Sequence, residues 1–249
     1  MSPAPLLEIR GLVKRFGAVT VAEAVDLDIA PGEVHALIGP NGAGKSSLIG
    51  QIAGEIRPDA GRIRFLGADL EGRSPAARSQ AGIGRSFQMS SLFEQMSVLE
   101  NALLAAQRAH GTGFGFVRRA LDRAEPRARA EATLAQVGLA GRAAEPVASL
   151  AHGEKRQLEI ALALAGAPRL LLLDEPLAGQ AAGDAEATVA LLDRLRPAHA
   201  MLLVEHDMDA VFALADRITV MVDGRVIASG RPETIRADPG VRDAYLGDA

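Results

Sequence analysis

Gly39-Pro40-Asn41-Gly42-Ala43-Gly44-Lys45-Ser46-Ser47 decides how this chain is read. It fits the pattern Gly, four residues, Gly-Lys-Ser/Thr, and it follows Val34-His35-Ala36-Leu37-Ile38, an apolar run that predicts a buried strand. Glycines in such a loop let backbone N–H groups turn inward around phosphate oxygens, Lys45 reaches the β- and γ-phosphates, and Ser46 offers its hydroxyl to Mg²⁺. A helix starting near Lys45, covering Ser46 to Ala53 and ended by Gly54, would point its positive dipole end at the same anion. A glycine-rich turn that merely joined a strand to a helix would not need Lys-Ser at its end. The stretch therefore marks a nucleoside-triphosphate site built from Gly39, Pro40, Asn41, Gly42, Ala43, Gly44, Lys45, Ser46 and Ser47.

Outward from this loop, short apolar runs alternate with polar residues between Leu6 and Ala30 and are closed by Pro31-Gly32, which predicts a small antiparallel sheet. Arg62 to Phe65 reads as another short strand. From Ser97 to about Leu139 the chain is rich in Ala, Arg and Glu at helical spacing, broken by Gly111-Thr112-Gly113-Phe114-Gly115 and by Pro126, and reads as a helical insertion. Strand character returns at Leu170 to Leu173, at Ala200 to Val204 and at Ile218 to Val222, the last followed by the turn signal Asp223-Gly224-Arg225. Apolar strands separated by helices predict an α/β fold with a mostly parallel sheet covered on both faces.

A phosphate loop alone says only that some triphosphate binds. Leu170-Leu171-Leu172-Leu173 runs into Asp174-Glu175-Pro176, which puts two carboxylates at the carboxyl end of a central strand, where open parallel sheets place ligands. Asp174 is suited to hold Mg²⁺, and Glu175 to act as the general base that takes a proton from the attacking water.

The 249 residues, 48% hydrophobic, are enough for a substantial core. A net charge of −4 with no long basic block argues against nucleic acid as a partner. The absence of cysteine removes disulfides, thiolate metal sites and cysteine nucleophiles. No segment approaches the roughly 18 apolar residues of a membrane span, so a membrane role would be peripheral.

Together these segments resemble the ATP-binding subunit of an ABC transporter over nearly the whole chain. Arg85-Ser86-Phe87-Gln88 is similar to the family's Q-loop, so the resemblance gives Gln88 a place near Mg²⁺ and the attacking water. Val204-Glu205-His206-Asp207 resembles the switch segment, whose histidine, here His206, holds the γ-phosphate. Lys14-Arg15-Phe16-Gly17 resembles the segment whose aromatic, here Phe16, stacks on adenine. Leu150-Ala151-His152-Gly153-Glu154 resembles the signature motif that meets ATP held by the partner subunit, with a helix expected to begin near Glu154.

The resemblance implies a P-loop NTPase fold with a RecA-like core (6–86 and 157–238), an N-terminal antiparallel β subdomain, an inserted helical subdomain (87–156) and a tail (239–249). It implies ATP and Mg²⁺, with Ser46, Gln88 and Asp174 as metal ligands and Glu175, His206 and Gln88 as the catalytic set. The implied partners are membrane-spanning permease subunits, a second ATP-binding subunit and, indirectly, a solute-binding protein, at the cytoplasmic face of the membrane. Ser90, Ser91, Leu92 and Phe93 are expected to line the permease groove, although Leu92 and Phe93 would equally suit a core.

Two segments depart from the family pattern. Ala151 stands where the signature usually has a serine, and Ala178-Gly179-Gln180-Ala181 replaces the usual polar D-loop. Both changes remove groups that act on the opposing subunit's ATP, so the resemblance points to pairing with a different cassette. Phrases such as Met96-Ser97-Val98-Leu99-Glu100-Asn101, Leu158-Glu159-Ile160-Ala161 and Glu205-His206-Asp207-Met208-Asp209 resemble branched-chain amino-acid importers. A lipopolysaccharide-export-type ATPase and a soluble non-transport ATPase are the alternatives.

Overall fold

The computed structural model describes residues 4–86, 92–109 and 124–242. Strands β1 (Leu7–Phe16), β2 (Val19–Ile29), β4 (Ala60–Phe65) and β5 (Ala68–Asp69) form an antiparallel sheet in the order β2-β1-β4-β5. The strand expected at Arg62 begins at Ala60 and joins this sheet through β1, a pairing no local pattern discloses.

The second sheet, in the order β10-β9-β3-β8-β7-β6, holds β3 (Val34–Ile38), β6 (Ile83–Arg85), β7 (Leu170–Asp174), β8 (Ala200–Val204), β9 (Arg217–Val222) and β10 (Arg225–Gly230). Every pairing in it is parallel except the β9–β10 hairpin. Asp223 and Gly224 turn that hairpin with φ of 46° and 77°, the positive pair that a tight two-residue turn requires. The same turn is tied to its surroundings. Gly224 N–H donates to the Ala43 carbonyl at 3.1 Å, and Glu23 N–H donates to the Gly224 carbonyl at 2.8 Å.

Period-2 alternation in the central strands sends their side chains into different cores. Leu170 and Leu172 of β7, with Leu202 of β8, face α1 (Lys45–Ala53) and the antiparallel sheet. Leu171, Leu173 and Leu203 face the helical region of α3 (Val98–Ala109), α4 (Ala124–Gln136) and α5 (His152–Leu164), together with α6 (Ala182–Leu195). A third cluster joins Ala36 and Ile38 of β3 and Ile218 and Val220 of β9 to α7 (Met208–Leu214) and α8 (Pro232–Ala237). Helix α2 (Pro75–Gln80) is capped by Ser74 and packs near β6.

Two helix boundaries differ from expectation. Pro126 does not break α4 but sits in its first turn, where a missing N–H has no intrahelical partner to lose. Helix α5 begins at His152, two residues ahead of Glu154, and runs unbroken through residues 156 and 157.

Candidate active site

The phosphate loop is shaped by its neighbours as much as by its own sequence. Gly39 has φ of 148° and Gly44 φ of 100°. A Cβ on Gly39 would overlap the Met221 carbonyl of β9, and one on Gly44 would overlap the Val21 carbonyl of β2. Gly44 is also the N-cap of α1 and contributes no side chain, so the first N–H groups of the helix face the loop. Lys45 Nζ donates to the Gly39 carbonyl at 2.6 Å and to the Pro40 carbonyl at 2.9 Å. Burial lowers the Lys45 pKa, while Glu175 and Asp174 pull it the other way.

Asp174 ends β7 and is 1% exposed. Its Oδ1 accepts a hydrogen bond from Ser46 Oγ at 3.3 Å. Its Oδ2 is buried and accepts none among the described residues, and the Arg85 guanidinium stands 4.0 Å away. Burial raises the Asp174 pKa against the opposing pull of Ser46 and Arg85. An orphaned carboxylate oxygen beside a serine hydroxyl is the hard-oxygen donor set that Mg²⁺ takes. No group of three acidic, cysteine or histidine residues among the described residues could hold a metal alone.

Glu175 follows directly with φ of 52°, a left-handed conformation that costs a non-glycine residue about 1–2 kcal/mol. Its N–H donates to the Val204 carbonyl at 2.8 Å, extending the β7–β8 ladder one residue past the strand. Its Oε1 accepts from His206 Nε2 at 2.9 Å, with the proton on the nitrogen because an ionised carboxylate only accepts. Asp207 caps α7 by accepting from the Ala210 N–H, which fixes the turn that carries His206.

Glu205 was not singled out from the sequence. It is buried, its Oε1 accepts from the Leu177 N–H at 2.6 Å, and its Oε2 accepts from the His206 N–H at 3.0 Å. One carboxylate thus ties the loop after Glu175 to the loop of His206. The sequence signal was an acid directly after an apolar strand, a place where an ordinary surface residue would be exposed.

Phe16 ends β1, is 50% exposed, and has Lys14 Nζ 5.1 Å from its ring centroid. Gln88 lies outside the described residues, as do Ser90 and Ser91. The Ala151–Glu154 segment forms the start of α5. Ala151 N–H donates to Glu154 Oε2 at 2.9 Å, and Glu154 pairs with Arg142. Gly153 is packed so closely that a Cβ would come 3.0 Å from the Asp184 carboxyl carbon, and His152 lies beside Gly179. The contacts of this segment run to Arg142, Asp184 and Gly179 rather than to the phosphate loop of its own chain.

With this geometry in hand, the family follows from a match over residues 22–178 to the family described as ABC transporter. The chain belongs to the ABC transporter family. It is an ATP-binding, ATP-hydrolysing cassette of that family, and residues 225–249 match a second description, branched-chain amino acid ATP-binding cassette transporter.

The cassette is 38% identical over 252 residues to LivG, a high-affinity branched-chain amino acid transport ATP-binding protein of Escherichia coli K12, covering 98% of this chain and 99% of LivG. BraF of Pseudomonas aeruginosa, described in the same terms, gives the same identity and coverage. The fructose import protein FrcA of Rhizobium meliloti is 36% identical over 236 residues, 94% of this chain and 91% of FrcA. Among solved structures, the ADP conformation of MJ1267, an ATP-binding cassette of an ABC transporter, superposes with a TM-score of 0.86 at 30% identity, covering 99% of this chain and 100% of MJ1267.

Proposed function

We propose that the cassette hydrolyses Mg²⁺-ATP to drive import of branched-chain or other hydrophobic amino acids. The observation that carries the chemistry is the Glu175–His206 pair at 2.9 Å, set at the end of β7 beside the Ser46–Asp174 pair. In this reading Phe16 stacks on adenine, and Gly39 to Ser47 hold the phosphates with Lys45 on the β- and γ-oxygens. Ser46, Asp174 and Gln88 hold Mg²⁺, which when bound neutralises charge on those oxygens. His206 occupies Glu175 Oε1, leaving Oε2 to accept the proton of the attacking water, and the family resemblance gives the imidazole the γ-phosphate as its second role. Glu175→Gln should retain ATP while phosphate release falls about a hundredfold or more. An unchanged hydrolysis rate would remove the base assignment.

The solute class is supported by the match at residues 225–249 and by LivG and BraF, and the lipopolysaccharide-export alternative gains no comparable support. FrcA, a fructose import protein, is nearly as similar at 36% identity. Uptake of labelled leucine and of labelled fructose, with and without this subunit, separates the two. Uptake of fructose alone would overturn the amino-acid reading.

A groove of about 400 Å³ between α2, β6, α3 and α5, lined by Ile83, Leu92, Phe93, Leu104, Leu162 and Pro168, suits a permease helix. No helix among the described residues is long and apolar enough to cross a membrane, which fits a subunit docked on the permease at the cytoplasmic face, with the solute-binding protein reached only through it.

Pairing with a different cassette is supported by three features. Ala151 carries no hydroxyl, Ala178 and Ala181 carry no polar groups, and Gln180 is already engaged within its own chain by Thr188 at 2.9 Å and the Pro176 carbonyl at 2.8 Å. The composite site that uses Ala151 is then the slower one. Removing the base from each cassette in turn should give unequal losses of hydrolysis, and equal losses would count against the asymmetry.

A further inference from the structure

Glu175 holds a left-handed backbone, φ 52°, with both its peptide groups restrained from outside. The N–H side is bonded to β8, as described. On the other side, the Glu175 carbonyl accepts from the Ala178 N–H at 3.1 Å and from the Arg156 guanidinium, through Nη2, also at 3.1 Å. Arg156 comes from α5, far from Glu175 in sequence. Its Nη1 donates to Glu159 Oε2 at 2.6 Å, and the two side chains are only 12% and 9% exposed. The planar fork thus faces two acceptors at once, a buried carboxylate on its own helix and the backbone of the proposed base, an arrangement a lysine ammonium cannot reproduce with one nitrogen at two directions.

We propose that Arg156 is a positioning residue for hydrolysis: by holding the Glu175 carbonyl it sets the turn that aims the Glu175 carboxylate at His206, and it passes any shift of α5 to that carboxylate. The inference rests on the reading of Glu175 as the base. Its mechanical content is specific. Arg156 lies four residues after His152, the first residue of α5, roughly 6 Å along the axis, so the helix start and the guanidinium move together. Whatever grips the Ala151–Glu154 end of α5 therefore acts on the geometry of Glu175 in the same chain.

The test uses the full chain, alone and in its assembled transporter, with Mg²⁺-ATP as the probe. Arg156→Met should lower kcat per bound nucleotide about tenfold, with KM for ATP changed by less than about twofold. Arg156→Lys should recover part of the loss. Glu159→Gln, which leaves the guanidinium in place but removes its anchoring charge, should lower kcat in the same direction by less, and it serves if the Met variant does not fold. In a Glu175→Gln background, adding Arg156→Met should change the residual rate little, because the group it aims is gone. An unchanged kcat per bound nucleotide in the Arg156 variants, with Glu175→Gln inactive, overturns this inference and leaves the base assignment standing. A fully active Glu175→Gln overturns the base assignment itself.

Discussion

Burial at the start of β3 would raise the pKa of the Glu33 carboxyl, but hydrogen bonds from His35, the Ala30 N–H and Arg217 outweigh it and bring the value down to about 2 from the ordinary 4.5. Because the folded value is the lower one, ionised Glu33 contributes stability that is complete above about pH 4.5 and is lost as the pH falls through about 2. Glu33→Gln should therefore cost on the order of 3 kcal/mol at pH 7. The gap to the parent should shrink steadily between pH 4.5 and pH 2 in denaturant titrations. None of this was legible in the sequence, where His35 passed as one member of an apolar run. Its Nδ1 faces Glu33 at 3.1 Å and its Nε2 faces Thr219 at 2.7 Å, a residue 184 positions away. Lys45, Asp174 and Glu175 were legible because each sits at a fixed offset from a strand the chain spells out locally. Glu205 and Arg156 were not, since their meaning lies in backbone atoms of a distant loop.

At the level of elements, the strands of the inner sheet could be read because a strand covered on both faces is a nearly continuous apolar run. β6 could not, being three residues at an edge, and β4 gave no hint that its partner was β1. The start of α5 was misjudged because Ala151-His152-Gly153 carries no capping side chain. Only half of a capping box exists there, the Glu154 carboxylate returning to the Ala151 N–H. Ala151→Ser would supply the other half, stabilising the helix by about 1 kcal/mol and raising the melting temperature by about 2–4 °C. If the slower site owes its rate to the missing hydroxyl, the same change should speed hydrolysis in the assembled complex. The opposite result is expected in the phosphate loop. Gly44→Ala forces a Cβ into the Val21 carbonyl and should abolish ATP retention while costing about 2 kcal/mol or more, as read by nucleotide binding and thermal unfolding.

Across the whole molecule, Leu92 and Phe93 both line the groove but differ in burial. Leu92 is 9% exposed and belongs to the core shared by the helical region, whereas Phe93 is 58% exposed at the edge of the groove. Leu92→Ser should destabilise the isolated chain by about 2–4 kcal/mol. Phe93→Ser should leave its melting temperature close to the parent's but weaken co-purification with the permease. The hairpin turn at Asp223-Gly224 has a consequence for anyone exchanging parts between importers. The stretch matched to the branched-chain description starts at Arg225, one residue after a glycine that is bonded to both Ala43 and Glu23, and Arg225 itself forks onto the Glu23 carboxylate. A chimera spliced at that match boundary would cut through a joint that buttresses the nucleotide loop, whereas a graft joined after Gly230, past the end of β10, would leave the buttress with its original owner.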